Sequence, residues 1–168
     1  MRNLLFSPLV LVLISGIAYG RDDIRGISPG LNSSDALKHI SAQGYKCRHT
    51  DDLSYIECTN GLREHSDIDW EMLRIFSIAD RTNKIEFRFR SGNDFRALVD
   101  EVSSQFGGKP YEIGFLDVAR WRLHDGTALV FRQLGDAGIL ELQNPDLENR
   151  LRELQYQARR NINPHPKF

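Results

Sequence analysis

With 168 residues, 40% of them hydrophobic and 27% charged, the chain has the size and balance of one ordinary globular domain, or of two very small units sharing a core. Its 22 Lys and Arg against 23 Asp and Glu give a formal charge of −1, which excludes the net basic field that bulk nucleic-acid binding requires.

In chain order, Arg2 precedes an apolar run from Leu4 to Ile17, interrupted only by Ser7, Pro8, Ser15 and Gly16. Ala18-Tyr19-Gly20 then places small residues at the −3 and −1 positions of a cut before Arg21-Asp22-Asp23. That order of charge, apolar core and small residues is the pattern of a secretory signal peptide over residues 1–20. The run is shorter than the ~20 apolar residues of a spanning helix and contains Pro8. No cysteine stands at the cut to take a lipid, and no second apolar stretch follows. The expectation is an exported, soluble chain of 148 residues, periplasmic or secreted, with no transmembrane segment after cleavage.

Arg21 to Leu31 reads as an irregular lead-in ending in Ser28-Pro29-Gly30. A helix is predicted from Asn32 or Ser33, both good N-caps, with Ala36, Leu37 and Ile40 on one face and a stop at Gly44. Tyr45–His49 and Leu53–Thr59 then form a hairpin around Asp51-Asp52. If it centres between Asp52 and Leu53, Cys47 faces Cys58. Opposed antiparallel positions lie about 4.5–5.5 Å apart, which a disulfide tolerates. An even cysteine count in an exported chain favours that bond.

Asn60–Asp69 is a polar connection, Met72–Ala79 a strand, and Asp80–Lys84 a turn by composition. Ile85-Glu86-Phe87-Arg88-Phe89-Arg90 alternates strictly, the strongest strand signal in the chain. Asn93–Phe106 reads as a second helix, with Phe95, Leu98, Val99, Val102 and Phe106 in one apolar stripe that should bury against Phe87, Phe89, Trp121 and Leu123. Val118–Leu123 alternates again, and His124-Asp125-Gly126 is a tight turn. Thr127–Gln133 and Ile139–Gln143 are strands separated by Gly135–Gly138. Asn144-Pro145 opens a third helix whose buried face is Leu147, Leu151, Leu154 and Ala158, and residues 159–168 form a frayed tail.

The order specifies an α+β fold of helices packed on antiparallel sheet, one domain over 21–158. Ala36–Gln43 in the first helix echoes Ala97–Gln105 in the second. The echo allows two tandem helix-plus-hairpin units, 26–60 and 72–143. These units, with the helix exit Phe106-Gly107-Gly108-Lys109-Pro110, resemble small bacterial periplasmic proteins of the β-lactamase-inhibitor-protein-like fold and the small outer-membrane assembly lipoproteins. The resemblance spans residues 26–143, and the chain departs from it in lacking the lipoprotein cysteine. It implies binding to another protein rather than catalysis.

Chemical motifs are sparse. Gly26-Ile27-Ser28-Pro29-Gly30 matches a nucleophile elbow, but the residue after the serine must give an oxyanion N–H and Pro29 has none. His65–Glu71 gathers several potential ligands without the glycine of a calcium loop or the His and Cys of a zinc site. The five histidines are scattered, and no phosphate loop or other cofactor motif occurs. Asn32-Ser33-Ser34 is a glycosylation sequon and, equally, a helix cap.

One surface has content. Alternation puts Arg88 and Arg90 opposite Phe87 and Phe89, and Arg120 and Arg122 opposite Trp121 and Leu123, while Arg132 shares a side with Ala128 and Val130. If those strands are neighbours, one sheet face mixes guanidinium groups with small apolar patches suited to an acidic protein or cell-envelope partner. The reading is a non-enzymatic interaction module. Its rival is a small-ligand carrier or an enzyme whose site is assembled from residues distant in sequence.

Overall fold

A computed structural model of the chain describes residues 23–49, 55–60, 71–90 and 92–162. The predicted signal peptide, the turn at Asp51-Asp52 and the loop from 61 to 70 lie outside them. The elements run α1 (Ser33–Ala42), β1 (Tyr45–His49), β2 (Tyr55–Asn60), β3 (Glu71–Ile78), β4 (Arg81–Arg90), α2 (Phe95–Phe106), β5 (Glu112–Gly114), β6 (Val118–Arg122), β7 (Ala128–Leu134), β8 (Ala137–Gln143) and α3 (Pro145–Ile162). The fold is α+β. Its eight strands make one antiparallel sheet in the order β1-β2-β3-β4-β8-β7-β6-β5.

That order corrects the helix-plus-hairpin expectation. Each of α1 and α2 is followed by a four-stranded meander, and the two meanders join along β4 and β8. The strands that composition missed account for the difference. Glu112–Gly114 is a three-residue edge strand, too short to show alternation. Arg81-Thr82-Asn83, read as part of a turn, opens β4 instead. The turn itself is the pair Ala79-Asp80, both with positive φ. Thr82 is polar yet fully buried because its backbone is held on both sides of the lead-in: its N–H donates to Leu31 O at 2.8 Å, and its carbonyl accepts from Gly30 at 2.7 Å.

The lead-in is itself ordered. Ile24 and Ile27 exchange backbone bonds across Arg25 and Gly26, both with positive φ, and both isoleucines enter the core. Glycine suits position 26 because its φ of 77° lies in the left-handed region, and a Cβ there would also push the exposed His39 ring aside. Arg25 then reaches across to donate to both oxygens of Glu71 at 2.7 Å, and the Tyr45 hydroxyl donates to the same carboxylate at 2.6 Å. Burial, and then the bond to Glu71, push the Tyr45 phenol well above its usual value.

One face of the sheet builds the core. Ile56, Leu73, Ile75, Ile85, Phe87, Ala119, Trp121, Leu129, Phe131, Leu140 and Leu142 bury there against Ala36 and Ile40 of α1 and Leu98, Val99, Val102 and Phe106 of α2. The predicted α2 stripe is therefore the buried one. Asn32 caps α1, its Oδ1 accepting from Ser34 N–H, and Asp94 caps α2 in the same way toward Ala97. Phe89 lies across Gly138, the residue opposite it on β8, where a Cβ would come within 2.5 Å of the ring. The ring covers a position without a side chain of its own.

Cys47 and Cys58 are opposite in the β1–β2 register and disulfide-bonded, with Cα atoms 4.0 Å apart. Closing this short loop should stabilise the fold by roughly 3 kcal/mol. Thiol labelling of the denatured, unreduced protein is expected to find no free cysteine. Cys58→Ala should lower the melting temperature by on the order of 10 °C with the far-ultraviolet spectrum retained, and two labelled thiols in the parent would contradict the bond.

α3 departs from expectation in two ways. Its helix extends to Ile162, into the segment expected to fray, whose residues 163–168 lie outside the described ones, and only its first turns are anchored. Asn144 Oδ1 caps it by accepting from Leu147 N–H, and Leu151 is buried, whereas Leu154 and Ala158 are exposed because the helix runs off the end of β3 and β4. Among the described residues no helix is long and apolar enough to cross a membrane.

Candidate functional site

The face opposite the core is where the arginines fall. Arg88 and Arg90 on β4, Arg120 and Arg122 on β6, and Arg132 on β7 all share it, because each occupies the strand parity opposite to Phe87, Trp121 or Phe131. The expected adjacency holds for β6 and β7. It fails for β4 and β6, which β8 and β7 separate. In register, Arg88 is followed by Ile139 and then Arg132, so an apolar residue spaces the two guanidinium groups. Arg120 is likewise followed by Val130. This is the mixture of cations and small apolar patches that alternation predicts.

A second pattern was invisible along the sequence. One residue from each strand lines up across the whole sheet as Arg48, Glu57, Arg74, Glu86, Glu141, Val130, Arg120 and Glu112. Ion pairs run along it. Glu57 accepts from Arg48 at 2.7 Å and from Arg74 at 3.2 Å, Arg74 also donates to Glu86 at 3.3 Å, and Arg120 donates to Glu112 at 2.8 Å. Burial alone would raise the Glu57 pKa, but the hydrogen bonds from Arg48 and Arg74 outweigh it and hold the carboxyl below its ordinary value.

The middle of the row sets two carboxylates, Glu86 and Glu141, directly opposite each other. Like charges so placed repel, and flanking cations offset this. Arg88 Nε donates to Glu86 at 2.6 Å, while Lys84 and Arg132 stand 3.9 Å from the two Glu141 oxygens. The carboxylates are short and lie low, with side chains 11% and 15% exposed, while the longer cations cover them. Lys84 also sits 4.0 Å from the Phe76 ring centre and Arg74 lies over Tyr55 at 5.1 Å.

The five predicted arginines are thus not equivalent. Arg88 is consumed by Glu86 and only 32% exposed, Arg90 pairs with Asp136 of the β7–β8 turn, and Arg120 pairs with Glu112. Arg132 holds Glu141 loosely, and Arg122 is exposed with no ion pair among the described residues. Arg122, and Arg132 with only its loose hold on Glu141, are the groups best placed to meet a partner.

Ser28 sits in the lead-in turn with its carbonyl accepting from Leu31, and Asn32 is engaged as a cap. Among the described residues no three His, Cys, Asp or Glu side chains converge as a metal site. His65 and His165 lie outside those residues. A recess of about 180 Å³ opens beneath the start of α3, lined by Phe76, Asn83, Lys84, Gln143, Glu148 and Arg152. It is smaller than the roughly 300–1,000 Å³ of ordinary ligand sites. Its carboxylate, Glu148, is held below its usual pKa, first by the bond from Arg152. Comparison with protein-family models, curated proteins and solved structures finds no match to this chain.

Proposed function

We propose that the chain is an exported, non-enzymatic interaction protein that binds an acidic protein or cell-envelope partner through the arginine-bearing face of its sheet. The observation that carries this reading is the gathering of Arg88, Arg90, Arg120, Arg122 and Arg132 on the one face that α1 and α2 leave uncovered. Lys46, Arg48, Arg74 and Lys84 add to it, against Glu57, Glu86, Glu112 and Glu141 on the same face of the strands. A chain of net charge −1 therefore concentrates its positive charge on one side. Guanidinium groups spaced by Ile139 and Val130 offer forked donors on a semi-apolar ground, the composition of a protein-recognition surface. Export is supported by the apolar leader at 1–20 and by a disulfide suited to an oxidising compartment. The two helix-then-meander halves form a tandem arrangement in which each half supplies four strands of a shared sheet.

The test is charge reversal where it does not disturb the fold. Arg122→Glu with Arg132→Glu should abolish retention of the partner captured by the parent protein from its own envelope or culture fluid, with the melting temperature within ~2 °C, since exposed charges contribute little to stability. Lys38→Glu, on the exposed side of α1, is the control. A partner list unchanged by the double reversal would reduce the face to a solvated exterior.

A further inference from the structure

β5 ends the sheet, and among the described residues no strand neighbours its outer edge. The opposite edge, β1, is guarded by the exposed charges Lys46 and Arg48, the usual defence of an unpaired strand. At β5 one exposed charge, Glu112, stands among apolar groups. Tyr111 and Ile113 are each 63% exposed, and the turn that follows exposes Phe115 at 99% and Leu116 at 87%. Leu116 adopts a φ of 69° and Asp117 one of 50°. A leucine at a left-handed position costs roughly 1 kcal/mol where glycine or asparagine would cost less. Holding apolar groups in water at a strained turn stabilises nothing in the isolated fold.

We infer that this edge is a self-association site, at which β5 of one molecule pairs antiparallel with β5 of a second copy about a two-fold axis through Ile113. The register makes the strand complementary to itself. Centred on Ile113, it sets Ile113 against Ile113 of the second copy, Tyr111 beside Phe115, and Glu112 across from Gly114, so no like charges oppose. Glu112 is already neutralised by Arg120 within its own chain. Ile113 pairs with Ala119 on the core face of the sheet, so the two Ile113 side chains meet on that side, flanked by Tyr111 and the turn residue Phe115. The backbone agrees. Leu123 N–H donates to Thr127 O and Gln133 N–H to Asp117 O, so alternation turns the peptide groups of Val118 and Arg120 toward β5; their partners Gly114 and Glu112 face inward, and the N–H and C=O of Ile113 point outward.

The apolar area offered is on the order of 600 Å² per copy, taking aromatic side chains at 150–250 Å² each. The pair sits near the lower end of stable interfaces, which implies micromolar rather than nanomolar affinity. Pairing two-fold through β5 uses the β5 edge of each copy and closes, leaving the charge-guarded β1 edges outside, whereas β5 meeting β1 of another copy would run on as an open filament. It also leaves the arginine face of both molecules exposed.

Sedimentation of the purified protein from about 1 to 500 µM should show a monomer–dimer equilibrium with a micromolar midpoint. Ile113→Lys should weaken it at least tenfold without changing the melting temperature, since the side chain is mostly in solvent. Ile113→Cys should form an intermolecular disulfide under mild oxidation, because the axis brings that position against itself, whereas Leu154→Cys on α3 should not. A protein that stays monomeric throughout, a dimer indifferent to Ile113→Lys, or cross-linking at Leu154 as fast as at Ile113 would each overturn the proposal. A monomer that binds lipid vesicles through Phe115 and Leu116 would assign the patch to a membrane surface instead.

Discussion

Phe131→Ala is expected to destabilise the protein by about 3–5 kcal/mol, the range for emptying a buried aromatic site. Phe131 is fully buried on β7, opposite Leu140, at the centre of an aromatic stack. Its ring lies 5.7 Å from Phe95 of α2 and 6.4 Å from Phe89 of β4, nearly parallel to both. It therefore couples the second helix to the strand that carries the seam between the two meanders. Truncation opens a cavity that α2 cannot refill, because Leu98 and Val102 are already packed against the same sheet. Denaturant unfolding, compared with exposed Glu153→Ala, measures it. A loss under 1 kcal/mol would mean that the helix does not rest on the sheet as described.

Arg74→Ala should cost about 3 kcal/mol at neutral pH, at the lower end of the range for removing one partner from a buried ion pair. Arg74 bridges Glu57 and Glu86, and its loss leaves two poorly solvated carboxylates with Glu141 next in line. The defect should also depend on pH with a definite sign. In the parent, the folded state holds Glu57 below its ordinary pKa, so the stability it contributes is present above the ordinary carboxylate range. That contribution fades as pH falls through the lowered folded value. In the variant the carboxylates gain less from ionisation. The gap between parent and variant should be widest near neutrality and close below about pH 4. Equal gaps at pH 7 and pH 3 would show that Arg74 acts by packing over Tyr55 rather than by charge.

The sequence revealed most where a local rule had a single solution. Two cysteines placed evenly about a turn fixed the β1–β2 register, since a slip of one residue would have sent them to opposite faces. The strict alternation of Ile85–Arg90 and the helical spacing from Phe95 to Phe106 declared their buried sides. So did the parity of the arginines, which is why all five fall on one face. What stayed hidden depends on contacts between distant segments. Thr82 and Asn83 read as turn residues because nothing local says that Gly30 and Leu31 will lie against them. Leu154 has the right helical spacing for burial, but spacing cannot report that the sheet ends before α3 does. The Glu86–Glu141 opposition exists only because β4 pairs with β8, a choice that no motif in either strand announces.

That pairing has a consequence in time. Of the seven ladders in the sheet, six join strands that follow one another in the chain, and only β4 with β8 links strands separated by three others. Local ladders close short loops and form quickly, whereas a distant one must wait for the intervening chain to collapse. The entropy of closing a loop grows only logarithmically with its length, so the late joint is scarcely weaker for being remote. Each half can thus order its own meander before the other is present. Until they meet, Ile85 and Phe87 on one side and Leu140 and Leu142 on the other edge their halves as unsatisfied strands, the interval in which this chain is most exposed to joining the wrong neighbour.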